Sequence, residues 1–264
     1  MVQKKEIIYL SIAGFNIKVS FTKTTYLYIK EKIQEGILKF YQGFVLDAKP
    51  KKIDYWIKFI DRKDIFIFRK KIITLINLYQ EVKTNKIVTY YQISIYQFLL
   101  VVRAIVEKLL ETRGFILHSS AANIRGKAYL FLGKSGAGKS TVITLLKKEY
   151  QSLADDSVII KKEEGVFYLY QTPFFEKNNW FSKGSKRYFL GKVYFLRKKT
   201  FFKIEKIENK KGLLKKIIYQ FWTDKEHVKK QLKVILDFVN ENNRFYFLHF
   251  NKKKKQLINL FSKL

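Results

Sequence analysis

Residues 127–146 read KAYLFLGKSGAGKSTVITLL. An apolar run, a glycine-rich loop and a stretch of helical spacing follow one another without interruption. Gly133-Lys134-Ser135-Gly136-Ala137-Gly138-Lys139-Ser140 satisfies G-x-x-x-x-G-K-[ST] at every fixed position, and Thr141 continues into the helical run. The pattern has a physical basis. Glycines let the backbone turn tightly enough for successive N–H groups to face phosphate oxygens, and the helix that follows adds its positive end. Lys139 is placed to reach β- and γ-phosphates, and the Ser140 hydroxyl to help hold Mg²⁺. Residues 133–141 are therefore the expected nucleotide-binding segment, with ATP and Mg²⁺ as ligands. The expected fold class is α/β: a mixed β-sheet with the loop at a strand end, flanking helices and a β-rich N-terminal part.

Working downstream, LADDS at 153–157 sets Asp155 and Asp156 side by side, sixteen residues beyond Lys139. That interval holds one helix and one strand. A carboxylate at a strand end is where such loops find a second magnesium ligand, and two adjacent acids permit a division of labour: one binds metal, the other takes a proton from an attacking hydroxyl. Upstream, His118 stands fifteen residues before Gly133. A hairpin of 115–122 with 127–132, turning at Arg125-Gly126, would bring His118 to the loop's end of the sheet.

The rest of the chain reads as strands with a few helices. EIIYLSI and FNIKVSF flank Ala13-Gly14 as a hairpin, YWIKFI and DIFIFR alternate apolar and polar positions, and 86–93 is another strand. Residues 27–41 have helical spacing. A helix over 95–112 carries Phe98, Leu99, Val102, Ile105, Val106 and Leu109 on one side, with Gly114 as its stop. SLADDSVIIKK, GVFYLY, KVYFLRK and FFKIEKI read as strands, 225–242 as a helix, RFYFLHF as a late strand, and the basic C-terminus as an amphipathic helix. Residues 1–94 are expected to join 95–264 in one domain.

Composition narrows the function classes. With no cysteine among 264 residues, disulfides, thiolate metal sites and a cysteine nucleophile are excluded, which suits a cytoplasmic protein. Arg103, Glu107 and Lys108 interrupt the most apolar stretch, so no membrane span is expected. Fifty-three Lys and Arg against 22 Asp and Glu leave a net charge of +31. The lysines are spread over the whole length, which reads as compositional bias. No nucleic-acid-binding motif sharpens it, so a nucleic-acid partner is not expected, although an acidic peptide would feel the same field.

LHSSAA, FLGKSGAGKST and LADDS together resemble the catalytic domain of HPr kinase/phosphorylase and its relatives, a family that shares its fold with phosphoenolpyruvate carboxykinase. QTPFFEK at 171–177, GKVYFLRK at 191–198, the closing YFLHFNK and the opening IAGFNIKVSF are similar to the HPr-kinase-like subgroup. The resemblance implies Asp155 as general base, Asp156 as magnesium ligand beside Ser140, Lys139 on phosphate and His118 near the transferred group. It also implies a serine kinase. The bifunctional enzyme's separate N-terminal domain and its glycine- and arginine-rich signature have no counterpart here, which points away from HPr as acceptor. Some members of the subgroup phosphorylate ribosomal precursor peptides, so a peptide or small-protein acceptor, acidic in character, is the expected partner. Two other readings compete: an ATP-binding regulatory module without catalysis, and a basic nucleic-acid-binding protein.

Overall fold

The computed structural model describes residues 6–61, 78–174, 176, 180–221 and 228–263. The strand expected at 64–69 and His227 lie outside them. The chain divides into two compact units, Met1–Val106 and Glu107–Leu264.

Among the described residues, the first unit holds a five-stranded sheet. β1 (Ile7–Ile12) and β2 (Phe15–Phe21) form the expected hairpin, with Ala13 and Gly14 both at positive φ (51° and 76°) as a two-residue turn of matching twist requires. β3 (Tyr55–Ile60), β4 (Tyr79–Lys83) and β5 (Lys86–Tyr90) complete the order β1-β2-β3-β5-β4. Alternate residues of β2, from Phe15 to Phe21, are buried, and α1 (Leu27–Phe40) buries Ile33 and Ile37. Phe98, from the first half of α2 (Ile95–Leu110), lies 5.3 Å from the Phe59 ring and 6.1 Å from Tyr41.

The second unit is, among the described residues, a curled nine-stranded sheet with helices on both faces, a mixed α/β architecture. Its strands are β6 (Gly114–His118), β7 (Ser120–Ile124), β8 (Lys127–Leu132), β9 (Gln151–Ala154), β10 (Ser157–Glu163), β11 (Val166–Gln171), β12 (Arg187–Lys198), β13 (Lys203–Lys206) and β14 (Phe245–Phe250). Pairing runs β6-β10-β11-β12-β8-β7-β9, with β14 between β12 and β13. β8 and β14 both run parallel to the long β12. β8 is apolar from Ala128 to Leu132 because both its faces are covered there. Ala128, Leu130 and Leu132 join one core with α4 (Lys210–Ile218) and α5 (Val228–Glu241). Tyr129 and Phe131 join the other with α3 (Lys139–Leu146) and α6 (Lys254–Ser262).

Several expectations need correction. FILHSSAAN is two strands rather than one: β6 pairs with β10, and β7 with β8 and β9, the change of partner falling at Ser119. Only 120–124 therefore forms the hairpin with β8. SLADDSVIIKK likewise breaks into β9 and β10 at Asp155-Asp156. Gly114 does not stop α2, which ends at Leu110; it opens β6, where a Cβ would collide with Ile160 O and approach Leu110 Cδ2 to 2.9 Å. On α2, Leu110 is buried and Leu109 only partly. Among the described residues, no helix is long and apolar enough to cross a membrane.

Candidate functional site

Three strand ends meet at one rim of the second unit. β7 and β8 pair antiparallel with Ser120 opposite Phe131, so the register carries His118 toward Gly133. β7 also pairs with β9, Ala121 opposite Ala154, so Asp155 and Asp156 emerge at the same edge. β10 begins at Ser157, opposite His118 on β6. The sequence-expected residues are thus gathered by sheet register, although His118 arrives on β6 rather than on the hairpin.

The loop leaves the C-terminal end of β8, the end at which parallel strands of α/β sheets receive ligands. Gly136 and Gly138 hold φ of 77° and 103°, and Gly138 is the residue before the first turn of α3. Gly138 is also hemmed in: a Cβ there would lie 2.7 Å from Phe250 Cζ and 3.6 Å from Lys198 Cε. Lys139 is 7% exposed, and its Nζ donates to Gly133 O at 2.7 Å, folding across the mouth of its own loop. Lys134, Ser135 and Gly136 form the exposed crest, with Ala137, Ser140 and Thr141 half-buried.

The acid pair is split by environment. Asp155 is 1% exposed, while the Asp156 side chain is 20% exposed and its Oδ1 lies 3.4 Å from His118 Nδ1. The backbone of the pair is pinned: Ser119 N donates to Asp156 O at 3.0 Å, and both acid N–H groups donate to Glu176 Oε2, at 2.8 Å from Asp155 and 2.7 Å from Asp156. Burial pushes the Glu176 carboxyl up to about 7, against the pull of Lys183 and the two amide donors. Lys183, 3.6 Å away, is shifted down by burial, with Glu176 opposing.

Neither Glu176 nor Lys183 stands out as a site residue in the sequence. Gln220 was also missed. It is buried just beyond α4; its carbonyl accepts from His118 N at 2.8 Å, and its side-chain amide, oriented to satisfy its neighbours, donates to Gly133 O at 3.0 Å and His118 O at 3.3 Å. One side chain therefore ties the histidine strand to the loop. The one available signal for Glu176 was its place in QTPFFEK. Gln220 offered none, since a lone glutamine after a lysine-rich stretch carries no pattern.

As for metal, no cluster of three or more His, Cys, Asp or Glu is present among the described residues. Ser140 and Asp156 offer a hydroxyl and a carboxylate at the same rim. Two hard oxygens suit Mg²⁺, which takes few protein ligands when phosphates and water complete its shell.

Fold and site together define an α/β protein whose glycine-rich strand–loop–helix shares a sheet rim with an acid pair. The family described as SynChlorMet cassette protein ScmC matches residues 82–218, just over half of the chain, and the chain belongs to that family. A solved structure described as the Hpr(Ser) kinase/phosphatase from Coxiella burnetii is similar over 56% of this chain and 91% of its own. Identity is 10% and the TM-score 0.30, an agreement too loose to bear on activity. No curated protein matches the sequence.

Proposed function

We propose that this chain is an ATP- and Mg²⁺-dependent kinase that transfers the γ-phosphoryl group to a serine or threonine hydroxyl of a peptide or small protein. The observation that carries the reading is the convergence of the glycine-rich loop, His118 and the Asp155-Asp156 step at one sheet rim. Loop amides of 133–141 and the Lys139 ammonium would bind the phosphates, with Ser140 and Asp156 holding Mg²⁺. Mg²⁺, when bound, supplies neutralisation of phosphate charge. Asp155 takes the proton as the acceptor oxygen forms its bond to the γ-phosphorus; the bond to the β-phosphate oxygen breaks and ADP leaves. His118 holds its place beside Asp156 and the transferred group. Positioning and electrostatics of this kind suffice for phosphoryl transfer.

The burial of Asp155, set against the exposure of Asp156 and His118, favours a second assignment of the same chemistry. In it the Asp156–His118 pair handles the proton and Asp155 faces the metal. Loss of the base removes transfer at any Mg²⁺ concentration, whereas loss of a metal ligand is partly repaired by more Mg²⁺. Asp155→Asn and Asp156→Asn, assayed over a Mg²⁺ series, tell the two apart.

The deciding experiment is ATP and Mg²⁺ with serine- and threonine-containing peptides, acidic ones and those encoded beside the gene included, read by mass. A gain of one phosphate is expected. Asp155→Asn should lower it by about 10²–10⁴-fold with ATP binding retained. ATP binding without transfer to any acceptor would replace the kinase with a regulatory nucleotide-binding module.

A further inference from the structure

The acid pair lies where the sheet cannot hold it. β9 ends at Ala154 and β10 starts at Ser157, so the N–H groups of Asp155 and Asp156 fall between two ladders. Both turn to one oxygen, Glu176 Oε2. Consecutive amides aimed at a single point form a concavity for an anion, and here the anion is the protein's own carboxylate.

That arrangement is costly unless it does something. The Glu176 side chain is 5% exposed, and a buried carboxylate loses hydration that a packed apolar residue would never need. Its companion Lys183 is 19% exposed and donates to Phe174 O at 2.6 Å, so the pair also fastens the connection between β11 and β12 to itself. Gln171, 2% exposed, repeats the stitch one step earlier. Its Nε2 donates to Leu153 O at 2.7 Å and to Ser182 O at 3.2 Å, while its Oε1 accepts from Gly184 N at 3.1 Å. The acid pair is therefore fixed just ahead of it at Leu153 and at each of its own amides. Rotation of the 155–156 peptide would swing both carboxylates, and Glu176 opposes it at both amides, beside the Ser119 N–H on Asp156 O.

We propose that Glu176 is a positioning residue for phosphoryl transfer: by holding the two amides of the acid pair it sets where the Asp155 and Asp156 carboxylates point. The inference rests on the kinase reading above. It gives a role to a residue that touches no loop residue in its hydrogen bonds, and it separates the geometry of the acids from the binding of nucleotide.

The test uses the full chain with ATP, Mg²⁺ and the acceptor that the wild type phosphorylates, and three substitutions. Glu176→Ala removes the acceptor oxygen, Glu176→Gln keeps an oxygen at full reach without charge, and Glu176→Asp keeps charge at shorter reach. Expected is a fall in kcat of about 10–100-fold for Glu176→Ala, the range for removing a group that orients a ligand. ATP Kd should stay within about twofold, because the binding loop is separately built. Glu176→Gln should recover most of kcat, and Glu176→Asp should fall between, which keeps the test open if the alanine variant does not fold. Unchanged kcat in Glu176→Ala overturns the inference. So does a glutamine variant as damaged as the alanine one with ATP affinity and Tm falling together, which would make Glu176 a support of the fold alone. A wild type that phosphorylates nothing ends the kinase reading and this inference with it, a result unlike a working wild type whose variants match it.

Discussion

Gly138 and Gly114 are the same residue asked to do two different things. At Gly138 the φ of 103° and the nearby Phe250 ring both exclude a side chain, and the consequence falls on the loop. Gly138→Ala should strain the backbone by about 1–3 kcal/mol at the turn into α3, a loss of about tenfold in ATP affinity read by titration. Gly114 has an ordinary φ but no room, with Ile160 O and Leu110 Cδ2 in the way. Gly114→Ala should lower stability by about 1–3 kcal/mol, seen as a lower Tm, and leave ATP affinity alone. If both variants lose stability and affinity together, the loop and the β6 anchor are one cooperative unit rather than two. The sequence shows why the first glycine is legible and the second is not. Gly138 belongs to a motif with a known backbone demand, whereas Gly114 is dictated by a strand that pairs 47 residues later in the chain.

At the scale of elements, legibility followed local pattern. β8 and α3 were readable because apolar continuity and helical spacing meet at a glycine loop. α4 is hard to read, since KKGLLKKII sets its apolar residues in two adjacent pairs, Leu213-Leu214 and Ile217-Ile218, among lysines and a glycine. Its start was nonetheless marked: Asn209 caps it, Oδ1 accepting from Gly212 N at 2.9 Å, and Leu213 and Ile217 are buried at helical spacing. Missing α4 meant missing Gln220 and with it the brace between His118 and the loop. The β10–β11 turn holds Glu164 and Gly165 at φ of 49° and 79°, and the charge it collects is not visible in the sequence. Burial pulls the Glu163 carboxyl upward, yet hydrogen bonds from Lys161 and Tyr170, the Lys161 charge and Arg187 outweigh it and hold it below the usual range. Lys161 lies 2.8 Å away and Arg187 3.0 Å. A carboxyl lowered in the folded chain stabilises it above the unfolded value and loses that contribution as pH falls through the folded one. Wild type should therefore lose more stability on acidification than Glu163→Gln, with the curves converging at the acid end. Parallel curves in denaturant titrations across that window would show that the ion pairs are too exposed to count.

Across the whole molecule the governing quantity is charge. A net charge of +31 is set by lysines spread along the entire sequence, and ion pairs of the second unit such as Lys162–Glu241 and Lys230–Glu111 consume few of them. If the field serves the acceptor, its effect is on encounter, because exposed charges separated by more than about 8 Å are screened at physiological salt. Encounter and chemistry then respond differently. For an acidic acceptor peptide, KM should rise steadily as NaCl goes from about 0.05 to about 0.5 M, while kcat at saturating peptide holds, since in the proposed kinase the loop, Lys139 and the acid pair work at contact distance. A neutral peptide with the same phosphorylated serine provides the control, and its KM should hardly move. Equal salt response for both peptides would mean that the lysines are a bias of composition with no part in choosing the acceptor.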